Sequence, residues 1–266
     1  MSPTAESADL LLLCATPGEA TELTVALQAT PLQPPAPVNV SDNTVLHGHL
    51  AGTPCRLVYS GIGPVNTAHA LTRAVERQRP RMVLQFGIAG AYVPAGVPVG
   101  SIVVASEEIY GDLGVLTPDG WQPADLIGIP VVAGDPPRFN RFPLDPQRLA
   151  RVVQLLATLP PASAPAAPST AVHCGPCLTL SQVTGVRTLG DALHRRFGAL
   201  CESMEGAAAA HVCALYGLPF LEVRGVSNLV EDRDRSRWQI AAAAAAAQRA
   251  VRHLIGHLDQ LTAGQA

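Results

Sequence analysis

Two short segments of this 266-residue chain carry residue types that recognise a polar small molecule. One is Glu202-Ser203-Met204-Glu205-Gly206, read as a strand-to-helix junction. The other is Arg224-Gly225-Val226-Ser227-Asn228, at the end of a strand made of Phe220, Leu221 and Val223. An acid facing a cleft accepts two hydroxyl hydrogen bonds, and an asparagine just beyond a strand presents a donor and an acceptor together. That pairing suits a sugar and a base. The same residues serve equally well as a helix cap at Glu205 and a turn at Asn228, and these segments alone do not choose. Glycines at strand ends add a second element: Ser60-Gly61-Ile62-Gly63-Pro64 joins a strand to a helix, and Gly87-Ile88-Ala89-Gly90-Ala91 ends the next apolar strand. They let backbone amides approach a ligand at the carboxyl edge of a sheet. No dinucleotide fingerprint is completed, because Asn66 stands where its third glycine belongs and no acid follows about twenty positions on.

Other local patterns carry less. Cys174-Gly175-Pro176-Cys177 has the spacing of a thiol-disulfide redox pair, but it follows a short strand late in a large chain and no tryptophan precedes it. Its cysteines read as small apolar residues lining a loop, with a thiol-disulfide oxidoreductase as the alternative from a different class. His47 and His49 share one face of a strand, and His253 and His257 one face of a helix, without the third ligand a metal needs. Neither a metal nor an organic cofactor is expected.

Composition narrows the classes further. All 18 basic residues are arginine, which excludes a Walker phosphate loop, a Schiff-base lysine and an ordinary kinase. With 48% apolar and 15% charged residues and a net charge of −3, the chain has no electrostatic footprint for nucleic acid or an acidic membrane. Leu10 to Cys14 looks like the end of a secretory leader, yet the first basic residue is Arg56, so residues 9 to 15 read as a buried strand. The expectation is a cytoplasmic protein with reduced thiols and one domain over residues 1–266.

The elements that must position these segments alternate. Strands are expected at 9–15, 44–50, 54–60, 82–88, 100–110, 171–174, 199–203 and 219–226, and helices at 18–29, 64–79, 145–157, 182–197, 204–216 and 236–259. That order argues for an α/β domain built on a largely parallel sheet. Residues 111–143 read as a long connection of the kind that forms lids or interfaces. Leu159 to Ser169 has the composition of a linker, and Ala241 to Ala247 that of a helix.

Taken together, the segments resemble the superfamily of purine nucleoside phosphorylases and methylthioadenosine nucleosidases, and within it the futalosine hydrolases. The likeness runs in order through Ala15 to Leu23, Ser60 to Gly63, Gly87 to Gly90, Val99 to Val104, Ser203 to Ala207 and Val223 to Asn228. It implies a three-layer α/β/α domain around a mixed, partly closed sheet, assembled as a homodimer or larger homo-oligomer. It also implies roles. Glu19 matches the glutamate that activates water, Glu205 the acid that holds the ribose hydroxyls, and Met204 the residue packed under the sugar. Ala89 and Gly90 fall in the substrate-binding turn, and Leu178 and Thr179 beside the purine. Ser227 and Arg224 support the turn that carries Asn228, and Trp238 falls near an aromatic that lines the 5′-substituent pocket; packing of a helix is the other reading of Trp238.

Two departures from the wider superfamily sharpen what the resemblance implies. Bacterial purine phosphorylases hold phosphate with an arginine and a serine where this chain has Gln85 and Ile88, which favours water as nucleophile. Asn228 stands where adenine-specific nucleosidases carry an aspartate, and an amide that both donates and accepts suits a 6-oxopurine. The implied activity is hydrolysis of futalosine, an inosine-like nucleoside with an aromatic 5′ extension, to hypoxanthine and dehypoxanthine futalosine on the alternative menaquinone pathway. A methylthioadenosine or aminofutalosine nucleosidase, or a purine phosphorylase, is the nearest alternative.

Overall fold

In a computed structural model, residues 9–27, 30–31, 45–161 and 170–262 are described. The linker-like tract therefore lies mostly outside the described residues, as do residues 28 and 29 of the first expected helix. The strands are β1 (Leu10–Cys14), β2 (Thr30–Pro31), β3 (Val45–Leu50), β4 (Thr53–Tyr59), β5 (Met82–Tyr92), β6 (Ile102–Tyr110), β7 (Gly114–Thr117), β8 (Gly120–Pro123), β9 (Arg141–Pro143), β10 (Val172–Thr179), β11 (Cys201–Ser203) and β12 (Phe220–Val230). The helices are α1 (Thr21–Ala26), α2 (Pro64–Arg77), α3 (Pro146–Leu156), α4 (Arg187–Phe197), α5 (Gly206–Tyr216), α6 (Ile240–Ile255) and α7 (Leu258–Thr262).

The main sheet runs β11-β10-β6-β12-β5-β1-β4-β3-β2, with β9 added beside β6. It is mixed: β5 is parallel to β1 and β12, whereas β12 is antiparallel to β6. Helices α2 and α5 cover one face and α1, α3 and α6 the other, giving the expected three layers. β1 reads Leu-Leu-Leu-Leu-Cys because both of its faces are covered, and every residue in it is buried. In α6 the alanine run lets the helix lie close on β12, where a Cβ on Gly225 would meet the Ala243 carbonyl.

One strand decides where a ligand can enter. Residues Leu10 to Leu13 of β1 pair with Met82 to Gln85 of β5, and β11 then pairs with Gly90 and Ala91 on β5. The second pairing closes β11, β10, β6, β12 and β5 into a ring. Between the two pairings, Phe86 to Ala89 have no strand on that edge among the described residues. Their backbone groups need partners from elsewhere.

Several expected elements change in extent. β5, β10 and β12 continue to Tyr92, Thr179 and Val230, well beyond the expected ends, because each stays paired within the closed ring. The helix expected at 182–197 begins only at Arg187, and the one at 236–259 splits into α6 and α7 at Gly256. Residues 111–143 are not a structureless connection: they hold the β7–β8 hairpin and β9, with Asn140 tying the segment together through the Ala124 N–H and the Tyr110 and Leu113 carbonyls.

Candidate active site at the uncovered edge of the fifth strand

Glu19 fills the gap that β1 leaves. After Cys14 the chain turns through a short 3-10 helix, Pro17–Glu19, in which Glu19 Oε2 accepts from the Thr16 N–H at 2.9 Å and the Thr16 hydroxyl at 3.2 Å. Its other oxygen, Oε1, reaches across to the Ile88 N–H at 3.0 Å, one of the donors no strand supplies. The turn is anchored from α6, where Gln248 Oε1 accepts from the Glu22 and Leu23 N–H groups at the start of α1. Any side chain at position 87 would run into Glu19 and Arg224, which is the physical demand for glycine there.

Asn228 lies on the neighbouring strand β12, beside Gly90, which is two residues further along β5 than Ile88. Its Nδ2 donates to the Leu229 carbonyl at 3.0 Å, and its Oδ1 accepts from the Ser227 hydroxyl at 2.7 Å. A carbonyl oxygen cannot face another, so these contacts fix the orientation of the amide and leave one N–H of Nδ2 free. The amide sits over Gly90, where an added Cβ would come within 3.2 Å of Nδ2. At about 3.3 Å per residue, Ile88 and Gly90 set the Glu19 and Asn228 groups about 7 Å apart along β5.

Glu205 approaches from the start of α5. Its Oε1 accepts from the Gly63 N–H at 3.0 Å, and its Oε2 lies 3.5 Å from Arg224 Nη1. Gly63 has a positive φ of 93° at the cap of α2, a conformation that turns its N–H toward the carboxylate. Burial pushes the Glu205 carboxyl up, and Arg224 and the Gly63 N–H pull only part of that back. Met204 beside it is half-buried.

Arg224 is the centre of the site, a larger part than support of the Asn228 turn. It is 1% exposed; Nε donates to Glu222, Nη1 to the Ile88 carbonyl at 3.3 Å, and Nη2 has no partner. Burial lowers its proton affinity, but Glu222, Glu205 and Glu19 outweigh that and hold the guanidinium charged. Glu222 and Glu108 escaped the sequence reading. The legible signal was Glu222 and Arg224 spaced by two in an apolar strand, hence on one face with nowhere to go but each other.

Other expected site residues are placed differently. Leu178 and Thr179 are fully buried: Leu178 packs in a cluster with Tyr92 and Ile109, and the Thr179 hydroxyl joins Glu108 Oε2 to the Ala207 N–H. Their side chains therefore face the interior and not a base, because β10 extends through both. The loop that follows carries half-exposed Val183, and its Thr184 N–H is held by Glu202 Oε1 at 2.7 Å. Ala89 is buried, with its carbonyl 3.2 Å from the Ser227 hydroxyl. Trp238 is brought to this end by the Gln239 N–H, which donates to the Ser227 carbonyl at 2.8 Å, and Arg233 lies 4.8 Å over its ring. Gln85 is buried inside β5 and supplies no charge.

The cysteine pair lies within β10, not in a loop: Cys174 is exposed, whereas Cys177 is buried with its sulfur 3.5 Å from that of Cys201. Burial pushes the Cys174 thiol up, and the Cys201 contact and burial push that of Cys177 up, the opposite of a reactive thiolate. His47 and His49 line a cavity of about 350 Å³ remote from this edge.

Residues 9–263 match a family model described as the phosphorylase superfamily. A futalosine hydrolase of Thermus thermophilus is 37% identical over 77% of this chain and 83% of that protein. The chain belongs to the phosphorylase superfamily, in the futalosine hydrolase family. A second futalosine hydrolase, from Streptomyces coelicolor, is 35% identical over 76% of this chain and 79% of its own length. Among solved structures, the 5′-methylthioadenosine/S-adenosylhomocysteine nucleosidase of S. pneumoniae shares the fold, with a TM-score of 0.76 at 22% identity over 94% of this chain and 100% of that one. Membership in this family makes the protein an N-glycosyl hydrolase acting on nucleosides. Among the described residues no helix is long and apolar enough to cross a membrane.

Proposed function

We propose that the protein hydrolyses the N-glycosidic bond of futalosine, releasing hypoxanthine and leaving dehypoxanthine futalosine, a step of the alternative menaquinone pathway. The observation that carries this reading is that Glu19, at the uncovered edge of β5 beside Ile88, and the fixed amide of Asn228, on β12 beside Gly90, lie two residues apart along β5. Glu19 has a free lone pair on Oε1 to take a proton from water on one face of the ribose. Asn228 donates its free N–H to the departing base as negative charge grows there, a contribution of about 3 kcal/mol for one preorganised donor. Glu205 holds the ribose hydroxyls, Met204 packs under the sugar, and Arg224, whose Nη1 lies beside Ile88 and Glu205, keeps the acids in place. Alignment of water with an oxocarbenium-like sugar then needs no covalent intermediate.

Water is favoured over phosphate by charge. Glu19, Glu205 and Glu222 surround Arg224, so carboxylates outnumber the one guanidinium, and a phosphate anion would enter an already negative site. The 5′ aromatic carboxylate of the substrate is read by Arg233 and Arg235, which lie 4.8 and 5.9 Å from the Trp238 ring, while Arg237 is occupied by Glu231 at 2.7 Å. The same proposal includes a cytoplasmic enzyme working as a homo-oligomer. Exposed Ile62 and Val65 beside Gly63, and Val186 and Leu189 at the start of α4, are apolar surface for a second copy to cover.

The test is to incubate purified protein with futalosine, inosine and methylthioadenosine in phosphate-free buffer and identify the released bases by chromatography. Hypoxanthine from futalosine is expected. Strict dependence on phosphate, or release of adenine alone, overturns the reading.

A further inference from the structure

Beneath the site, two further acids meet with no cation between them. Glu108 on β6 and Glu222 on β12 are both completely buried, side by side under the first turn of α5. A Cβ on Gly206 would lie 2.4 Å from Glu108 Oε2 and 2.5 Å from Glu222 Oε2, so only glycine leaves room for the pair. Each carboxyl has one oxygen engaged. Glu108 Oε2 accepts from the Thr179 hydroxyl at 2.8 Å, and Glu222 Oε1 accepts from Arg224 Nε. Glu108 Oε1 and Glu222 Oε2 are buried without any partner. Two anions in this position would repel and leave both oxygens unsatisfied. One proton gives the pair the hydrogen bond neither can make as an anion.

We propose that Glu108 and Glu222 share a single proton, and that this bond makes them a positioning pair which fixes Arg224 against Glu205 and the Glu19 edge. The inference rests on the hydrolase reading of the site. It adds residues that touch neither water nor nucleoside. Glu108 is the neutral, donating partner: Thr179 is bound to its other oxygen, and the Arg224 Nε–H goes to Glu222 and not to it. Glu222 is the accepting partner, because Arg224 Nε already donates to its other oxygen. Burial first, and the adjacent Glu222 second, push the Glu108 carboxyl well above the ordinary carboxylate range. The groups facing the pair are Arg224 and Glu222 on β12, Thr179 and Cys177 on β10, Tyr110 on β6 and Glu205 ahead of α5. Of these only Arg224 is cationic. If Glu222 loses its bonded neighbour it is free to swing, and the arginine it holds by Nε swings with it.

The geometry predicts an unusual ordering of substitutions. Glutamine at position 108 donates from its amide and accepts from Thr179, so Glu108→Gln keeps every contact and removes only the titration. Glu108→Leu keeps the bulk and removes the donor. In the full-length enzyme, Glu108→Gln is expected to keep kcat within about threefold, and Glu108→Leu to lose about 10- to 100-fold in kcat with KM little changed. The parent enzyme loses kcat at alkaline pH as the pair gives up its proton, and Glu108→Gln lacks that limb. Infrared spectroscopy gives a readout independent of turnover: the carbonyl stretch of an un-ionised carboxylic acid is expected at neutral pH in the parent and absent in Glu108→Gln. No such band in the parent, or equal loss of kcat in the glutamine and leucine variants when both are folded, overturns the proposal. If futalosine is not cleaved at all, the hydrolase reading fails, and the band alone decides whether the shared proton exists.

Discussion

Arg56 and Arg224 are both buried in the central sheet, and they are built in opposite ways. Arg56, at the middle of β4, pairs with Asp9 through two nitrogens and donates the rest of its fork to the Ala74 and Gln78 carbonyls at the end of α2. One cation meets one anion, and the leftover donors satisfy a helix terminus. Arg224, near the middle of β12, meets Glu222 and Glu205, lies close to Glu19, and leaves Nη2 without a partner. A buried ion pair that balances its charges and closes its hydrogen bonds ties strands to a helix. One with surplus acid and an open donor is unfinished until a ligand and water arrive, and that incompleteness marks the active end of the sheet.

The contrast can be broken at either arginine's partners. Glu19→Gln removes the base while its amide oxygen still accepts from Ile88 and its amide nitrogen loses the Thr16 N–H; kcat should fall by about 10²- to 10⁴-fold and stability by only about 1 kcal/mol. Steady-state kinetics alongside a melting curve check this, and a drop in melting temperature of similar rank to that of an Arg56 variant would erase the distinction. Arg56→Met leaves Asp9 buried and unpaired, so denaturant unfolding should show a loss of about 3–5 kcal/mol with kcat per folded molecule preserved.

Asn228→Asp should move the preference from hypoxanthine-bearing toward adenine-bearing nucleosides by about tenfold or more in kcat/KM, since a protonated acid has a single O–H, suited to N7, whereas the amide has two N–H donors and keeps one for O6 of a 6-oxopurine. Competition between inosine and adenosine analogues measures it. A smaller effect concerns stability. The folded protein keeps a proton on Glu108 that the unfolded chain releases near pH 4.3, so stability should decline as pH rises from there through the raised folded value, and Glu108→Gln should flatten that slope by about 1 kcal/mol near neutrality. Urea melts across pH give the difference between the two slopes. Least of all, joint replacement of Cys174 by serine and Cys177 by alanine should change kcat by less than about twofold, because neither thiol lies near Glu19 or Asn228 and both are pushed up, away from thiolate chemistry.

Much of this was legible from local pattern. The leucine run of β1, the proline after Gly63, and the alanine run of α6 each name their element through burial, capping or propensity. Glu19, Glu205 and Asn228 were legible because a resemblance carried over motifs in order. The residues misjudged were those whose role depends on how far a strand runs. Leu178 and Thr179 look like loop residues after a Gly-Pro, yet β10 stays paired with β6 and β11 through both, so their side chains turn inward. The 111–143 stretch looked structureless because its strands are too short for periodicity to show.

What the residue order determined unaided is the α/β alternation, the absence of lysine chemistry, and the donor and acceptor types at positions 205 and 228. Only the tertiary structure decided that β11 joins β5 past the end of β1, opening an edge where Glu19 takes the Ile88 N–H. It alone brought Glu108 and Glu222, 114 positions apart in the chain, beneath one glycine. Local order sets backbone preference and which face a side chain takes. Which charges share a dry interior, and so which must hold a proton or await a ligand, is a property of long-range pairing that no spacing encodes.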